Sequence, residues 1–233
     1  VATTTLVRGA RATRSTIFLK ILMAVSGIAF VGFTLVHMYG NLKAFSGREA
    51  YDGYAAHLRT LGEPMLPHEG ALWIIRAGLI LALAVHVYCA ATLWRRAKAA
   101  RTIKYQVKKS TGAIPASRLM RWGGVALLLF IIWHLLEFTI VKIDVHSGPA
   151  AQDPFGLLVH AFNVPWMTAI YLAAMLALGA HLHHGIWSAT QTLGLTGSQR
   201  TRKLAKRSAF TLAVVIAGGF SLVPLFVAFG VIK

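Results

Sequence analysis

Five long stretches of almost unbroken apolar residues, separated by short polar segments, dominate the pattern of this chain. About 20 apolar residues carry a helix across a bilayer, and the stretches place spans at about 17–41, 71–95, 121–143, 163–189 and 208–230. Trp73, Trp94, Trp122, Trp166 and Trp187 stand near the expected ends, where indole rings prefer the headgroup region. Between the first two spans, Tyr51–Leu61 reads as a short helix that Pro64 and Pro67 terminate. Residues 144–160, with Gly148, Pro149 and Pro154, read as a second loop on the same side. No internal repeat or low-complexity tract interrupts the pattern. The expectation is an all-α, five-helix membrane bundle forming a single domain over residues 1–233.

Composition sharpens this reading. Of the residues, 56% are hydrophobic and only 13% charged, against roughly a quarter charged in soluble domains. The first basic stretch runs into the first span without a small-residue cleavage pattern, so that span is read as retained. One cysteine, Cys89, leaves no basis for a disulfide framework, a thiolate-held cluster or a C-x-x-C-H haem attachment. The net charge of +17 would suit a nucleic-acid binder, but the basic residues flank apolar spans instead of forming one polar surface. Arg8, Arg11, Arg14 and Lys20 precede or open the first span. Arg95, Arg96, Lys98, Arg101, Lys104, Lys108, Lys109, Arg118 and Arg121 lie between the second and third, and Arg200, Arg202, Lys203, Lys206 and Arg207 between the fourth and fifth. With five spans these regions share one face, which the positive-inside rule makes cytoplasmic, N-terminus included. All seven acids, Glu49, Asp52, Glu63, Glu69, Glu137, Asp144 and Asp153, fall towards the other face.

Polar groups inside spans are costly and mark function more often than packing. Here four successive spans contribute histidine: His37, His86, His134, and the group His181, His183 and His184. A rise of 1.5 Å per residue puts His37 roughly 25 Å above Lys20 and His134 about 20 Å above Arg121. His86 is only about 13 Å from Arg95, and His181 about 10 Å from the polar segment that begins near Ser188. The four therefore sort by depth into an outer pair, His37 with His134, and an inner pair, His86 with His181. Imidazoles from two helices at one depth can clamp an iron from both sides. Glycines at 27, 32, 40, 78, 123, 124, 179 and 185 lie in or at the ends of these spans. Their lack of a side chain suits a flat cofactor, and equally plain helix packing. Tetrahedral zinc is the competing use of histidine; it calls for ligands at one depth, usually with cysteine or carboxylate.

The motifs Leu35-Val-His37-Met-Tyr-Gly-Asn41, Val85-His86-Val-Tyr88, Trp133-His134-Leu-Leu-Glu137 and His181-Leu-His-His-Gly185-Ile-Trp187 resemble those of a known family. It is the five-helix, dihaem cytochrome b (b558) anchors of succinate dehydrogenase and fumarate reductase complexes, of the single-subunit type. The resemblance runs the length of the chain. It implies that the four matching histidines ligate two haems b in the pairing found from depth. It further implies a bacterial cytoplasmic-membrane complex in which a flavoprotein subunit oxidises succinate and an iron–sulfur subunit passes electrons to this anchor. The inner haem, on His86 and His181, would receive them, and the outer haem, on His37 and His134, would pass them to quinone, in such relatives usually menaquinone. The basic face is a candidate for docking the iron–sulfur subunit, although orientation and anionic lipid account for such charge as well.

A quinone site needs an apolar slot with a few proton-exchanging groups. The outer candidates are Tyr39, Asn41, His57, Arg59, Glu63 and Glu137; near the inner haem stand Ser26, His183 and His184. Relatives that couple proton uptake across the membrane to their haems carry a glutamate two residues before the fourth-span ligand. Here that residue is Gly179, so that path is expected to be absent or built differently. Two other readings remain: the dihaem cytochrome b of a hydrogenase or formate dehydrogenase, and a colourless transporter whose histidines relay protons.

Overall fold

The computed structural model describes residues 15–100, 113–140 and 153–233. Helix α1 spans Thr16–Leu42, started by the Ser15 side chain, which accepts from the Phe18 N–H at 3.0 Å. A 3-10 turn over Lys43–Ser46 and Gly47, at φ +88°, redirect the chain into α2, Arg48–Thr60. Such a φ is the left-handed region open to glycine. Helix α3 covers Gly70–Ala99, and α4 covers Ala113–His134 before widening into a π turn over Leu135–Thr139. Helix α5, Pro154–Phe162, is followed by α6, Pro165–Thr192, and α7, Gln199–Ala228.

Five of these segments are long and apolar enough to cross a membrane: Thr16–Ser46, Gly70–Ala99, Met120–Thr139, Pro165–Thr192 and Gln199–Ala228. Every regular element among the described residues is helical, and the chain is a multi-pass membrane protein. Helix α1 packs against α3, α6 and α7, and α6 packs against α4 and α7. Large apolar side chains such as Ile74, Leu81, Leu129, Leu176 and Phe210 face outwards, as lipid contact requires and water would penalise. A buried apolar cluster that includes Phe155, Leu158, Phe162, Met167, Tyr171, Val223 and Val227 joins α5, α6 and α7.

Two expected loops are partly helical. The fifth span was expected from residue 208, yet α7 begins at Gln199. Arg200, Arg202, Lys203, Lys206 and Arg207 therefore ride on its first turns instead of lying in a loop. The reason is a capping box: Ser198 Oγ accepts from the Thr201 N–H, and Thr201 Oγ1 accepts from the Ser198 N–H. Within the expected loop 144–160, Asp153 caps α5 by accepting from the Gly156 N–H at 2.7 Å. Pro154 then occupies the first helical position, where its missing N–H costs nothing. Arg8, Arg11, Arg14, Arg101, Lys104, Lys108, Lys109, Asp144, Gly148, Pro149 and the expected end of the third span, residues 141–143, lie outside the described residues.

Contacts identify the two ends of the bundle. At one, Arg96 donates to Thr16 Oγ1 at 3.4 Å, Arg121 sits over the Trp94 ring and Lys206 over Trp187. At the other, α2 and α5 are tied by the Arg48–Asp153 ion pair and by the Phe155 N–H donating to Asp52 at 2.9 Å. Most of the described basic groups thus gather at one end, while most of the described acids stand at the other, where Lys43, Arg48, Arg59 and Arg76 accompany them.

Candidate functional site: two facing histidine pairs

The structure brings the four span histidines together in the expected combinations. His37 of α1 faces His134 of α4, ring centroids 5.9 Å apart; His86 of α3 faces His181 of α6 at 6.2 Å. Two imidazoles bonded to opposite sides of one metal, each nitrogen about 2 Å from it, hold their ring centres about 6 Å apart. Both pairs meet that requirement. Among the described residues no three histidine, cysteine or acidic side chains gather as a metal-binding group, so the histidines pair instead of clustering.

The inner pair lies against glycine on both sides. A Cβ on Gly27 of α1 would stand 3.4 Å from His86 Cε1, and one on Gly124 of α4 would stand 3.5 Å from His181 Cε1. Of the eight glycines singled out from the sequence, these two abut histidine rings. Gly40 instead meets the Tyr54 ring and Gly179 meets Ala217 of α7, which is helix packing. Gly27 precedes His37 by ten residues, Gly124 precedes His134 by ten, and Tyr171, which contacts His134, precedes His181 by ten. Three helices therefore agree on two levels about 15 Å apart along the bundle.

Hydrogen bonds fix the ring orientation at each level. Ser26 Oγ lies 2.8 Å from Leu22 O and 3.1 Å from Met23 O, so its single proton points to its own helix. At 3.2 Å from His86 Nδ1, its oxygen is left to accept the Nδ1 proton, and the other ring nitrogen keeps its lone pair. His134 Nδ1 lies 3.1 Å from the Tyr171 hydroxyl, which donates to Glu137 Oε2 at 3.2 Å; the same logic applies there. His181 Nδ1 is buried with no hydrogen-bond partner among the described residues. Aromatic rings enclose the outer level: Phe33 stacks on His37, while Phe130 and Phe138 flank His134. A donor set of neutral imidazoles, with flat glycine faces and an aromatic wall, fits a haem iron at each level.

The other candidates are dispersed. Tyr39 is exposed beside Tyr54, with Lys43 over its ring, and Asn41 donates to His37 O at 2.9 Å. Arg59 pairs with Glu69 at 3.2 Å and Glu63 with His68 at 3.0 Å, both at the surface, and His57 is exposed on α2. Glu137 is 1% exposed inside the bundle. Ser26 is buried against His86, whereas His183 and His184 are exposed and His183 meets the edge of Phe210.

Over 208 residues the chain is 26% identical to the succinate dehydrogenase cytochrome b558 subunit of Bacillus subtilis. The match covers 86% of this chain and 90% of that one. The chain is similar to that subunit. The resemblance read from the histidine motifs is thereby borne out along most of the sequence. No protein-family model matches the chain, and no solved structure matches it.

Tyr171 is the site residue that sequence reasoning missed. A tyrosine in an apolar span reads as an interfacial or core aromatic. The signal that would have found it is its ten-residue spacing to His181, the same interval that separates Gly27 from His37.

Proposed function

We propose that this chain is the membrane anchor and electron-transfer subunit of a succinate:quinone oxidoreductase, a single membrane domain holding two haems b. His37 and His134 would hold the outer one, and His86 and His181 the inner one. The observation that carries this is the pair of histidine couples about 6 Å across at two levels, in a chain similar to a succinate dehydrogenase cytochrome b558 subunit. When bound, the haems supply one-electron carriers spaced across the membrane. The chain's own residues do the rest. Ser26 and Tyr171 orient the imidazoles, Gly27 and Gly124 leave room beside the inner pair, and the aromatic side chains keep water from the outer pair.

In this reading the flavin and the iron–sulfur clusters belong to partner flavoprotein and iron–sulfur subunits. The latter docks on the basic end, where Arg96, Arg121, Arg202 and Lys206 stand, and that end faces the cytoplasm. Electrons leave to quinone, menaquinone by family resemblance, towards the opposite end. There Tyr39, Asn41, His57, Arg59 and Glu63 are the candidate groups to bind it or exchange protons with it, with Glu137 buried beside the outer histidine pair. A proton path through position 179 is not part of the proposal, because Gly179 serves helix contact with α7.

The test is a redox titration of the purified complex with single histidine variants. His86→Ala or His181→Ala should remove one haem, and His37→Ala or His134→Ala the other. The proposal fails if the wild-type complex contains no haem, or if the losses pair the histidines differently.

A further inference from the structure

The outer histidine pair carries a feature that the inner pair lacks. His134 Nδ1 reaches the Tyr171 hydroxyl at 3.1 Å, and that hydroxyl donates to Glu137 Oε2 at 3.2 Å. Glu137 is 1% exposed and Tyr171 6% exposed, so a carboxyl group has been taken deep into the bundle to end a chain of two hydrogen bonds. Burying a carboxyl is expensive unless hydrogen bonds compensate, which argues against an incidental contact. The backbone is specialised at the same place. Directly after His134 the helix widens into the π turn Leu135–Thr139 that contains Glu137, closed by the Ile140 N–H donating to Leu135 O at 2.8 Å. π turns are rare and are found frequently at functional sites, and this one forms the end of α4 among the described residues. At the inner level the corresponding acceptor is Ser26, whose own proton goes to backbone carbonyls.

We propose that Tyr171 and Glu137 form a positioning relay that sets the reduction potential of the outer haem through His134. The inference rests on the proposed reading in which His134 would hold the outer haem iron. Ligation through the far ring nitrogen requires the proton on Nδ1. That proton is then donated to the Tyr171 oxygen, and the Tyr171 proton to Glu137. A donor that passes its proton density to a strong acceptor is a more basic ligand. A more basic imidazole favours ferric over ferrous iron and lowers the potential. Serine bonded only to carbonyls is a weaker acceptor, so the relay makes the two levels chemically unequal despite identical ligand types.

The experiment titrates both haems in the intact complex for wild type, Tyr171→Phe and Glu137→Gln, and records the low-spin ferric spectrum of each. Tyr171→Phe keeps the ring and deletes the acceptor. It should raise the outer potential so that the ferrous-to-ferric ratio at fixed ambient potential grows up to about tenfold, or about 59 mV for one electron. The inner potential should stay where it was. Glu137→Gln, a weaker terminal acceptor of the same shape, should shift it in the same direction by less, and the ferric spectrum of the outer haem alone should change. If Tyr171→Phe loses the outer haem, the Glu137→Gln titration decides by the same criteria. Unchanged potentials, an equal shift of both haems, or loss of the outer haem in both variants would overturn the relay. A wild-type complex without haem would instead overturn the proposed function on which it rests.

Discussion

At the residue scale, the inner level is defined as much by what Gly27 and Gly124 omit as by what His86 and His181 supply. The 3.4 and 3.5 Å that a Cβ would keep from the two rings is ordinary van der Waals distance, so a methyl group fits and a branched side chain does not. Gly27→Ala and Gly124→Ala are accordingly expected to retain both haems. Gly27→Leu and Gly124→Leu should push the adjacent imidazole aside and lose the inner haem only. Haem content per chain, with the spectrum of the haem that remains, checks this; retention of both haems in the leucine variants would remove the steric argument. The pairing of the histidines was legible because depth follows from counting residues along straight helices. Their hydrogen-bond partners were not, because whether Ser26 or Tyr171 faces a ring depends on helix rotation and packing, which counting leaves open. The outer acidic and aromatic candidates were chosen by side and residue type. The structure disperses them because Arg59 and Glu63 are each engaged by a nearby surface partner, Glu69 and His68.

At the element scale, the spans were readable to within a few residues where a hydropathy change coincides with a helix end, as at α1, Thr16–Leu42. They were misplaced where a helix continues beyond the apolar stretch, since hydropathy registers the bilayer and not the helix. The first turns of α7 are basic but fully helical because Ser198 and Thr201 satisfy the leading N–H groups. Helix α5 was hidden by Pro154, which breaks a helix from inside but suits its first position. Its contact with α2 is specific. Asp52 accepts from the Phe155 N–H at 2.9 Å, and the Tyr51 ring meets the Phe155 ring edge-on at 5.9 Å. Burial, and then the neighbouring Asp52 charge, push the Tyr51 hydroxyl up to about 12. Below pH 10 the phenol is neutral folded or unfolded, so it contributes no pH dependence. Between about 10 and 12 the unfolded chain releases the proton more readily, so the folded contact weakens as pH rises. The expected outcome is a late-titrating phenolate absorbance that disappears in Tyr51→Phe, with alkaline loosening of the α2–α5 contact also abolished. Asp52→Ala should weaken the same contact by about 1–3 kcal/mol, the cost of leaving a partly buried N–H unsatisfied, read as faster proteolysis near residue 153. A cleavage rate equal to wild type would show that Asp52 does not hold α5.

At the scale of the whole molecule, the excess of positive charge is concentrated at one end of the bundle axis, and the proposed direction of electron flow depends on which way that axis points. The basic groups at the ends of α3 and α4 and on the first turns of α7 stand at the end nearer the His86–His181 level. Glu49, Asp52, Glu63, Glu69 and Asp153 stand at the other. Each Lys or Arg near an anionic cytoplasmic leaflet is favoured by about 1 kcal/mol, so the five basic residues of α7 alone give a bias that thermal energy does not reverse. In the proposed orientation the inner level lies on the side where soluble partner subunits would dock, and the outer level towards the opposite end. Thiol labelling tests this directly, because Cys89 is the single native cysteine and is fully buried. Glu49 and Arg202 are both exposed, at opposite ends. Glu49→Cys should react with an impermeant maleimide on intact cells, while Arg202→Cys should react only in inside-out vesicles stripped of peripheral subunits. The reverse pattern would leave the two histidine levels intact but exchange their roles. The His37–His134 pair would then be the one facing incoming electrons, and the basic end could not serve as the dock for a cytoplasmic iron–sulfur subunit.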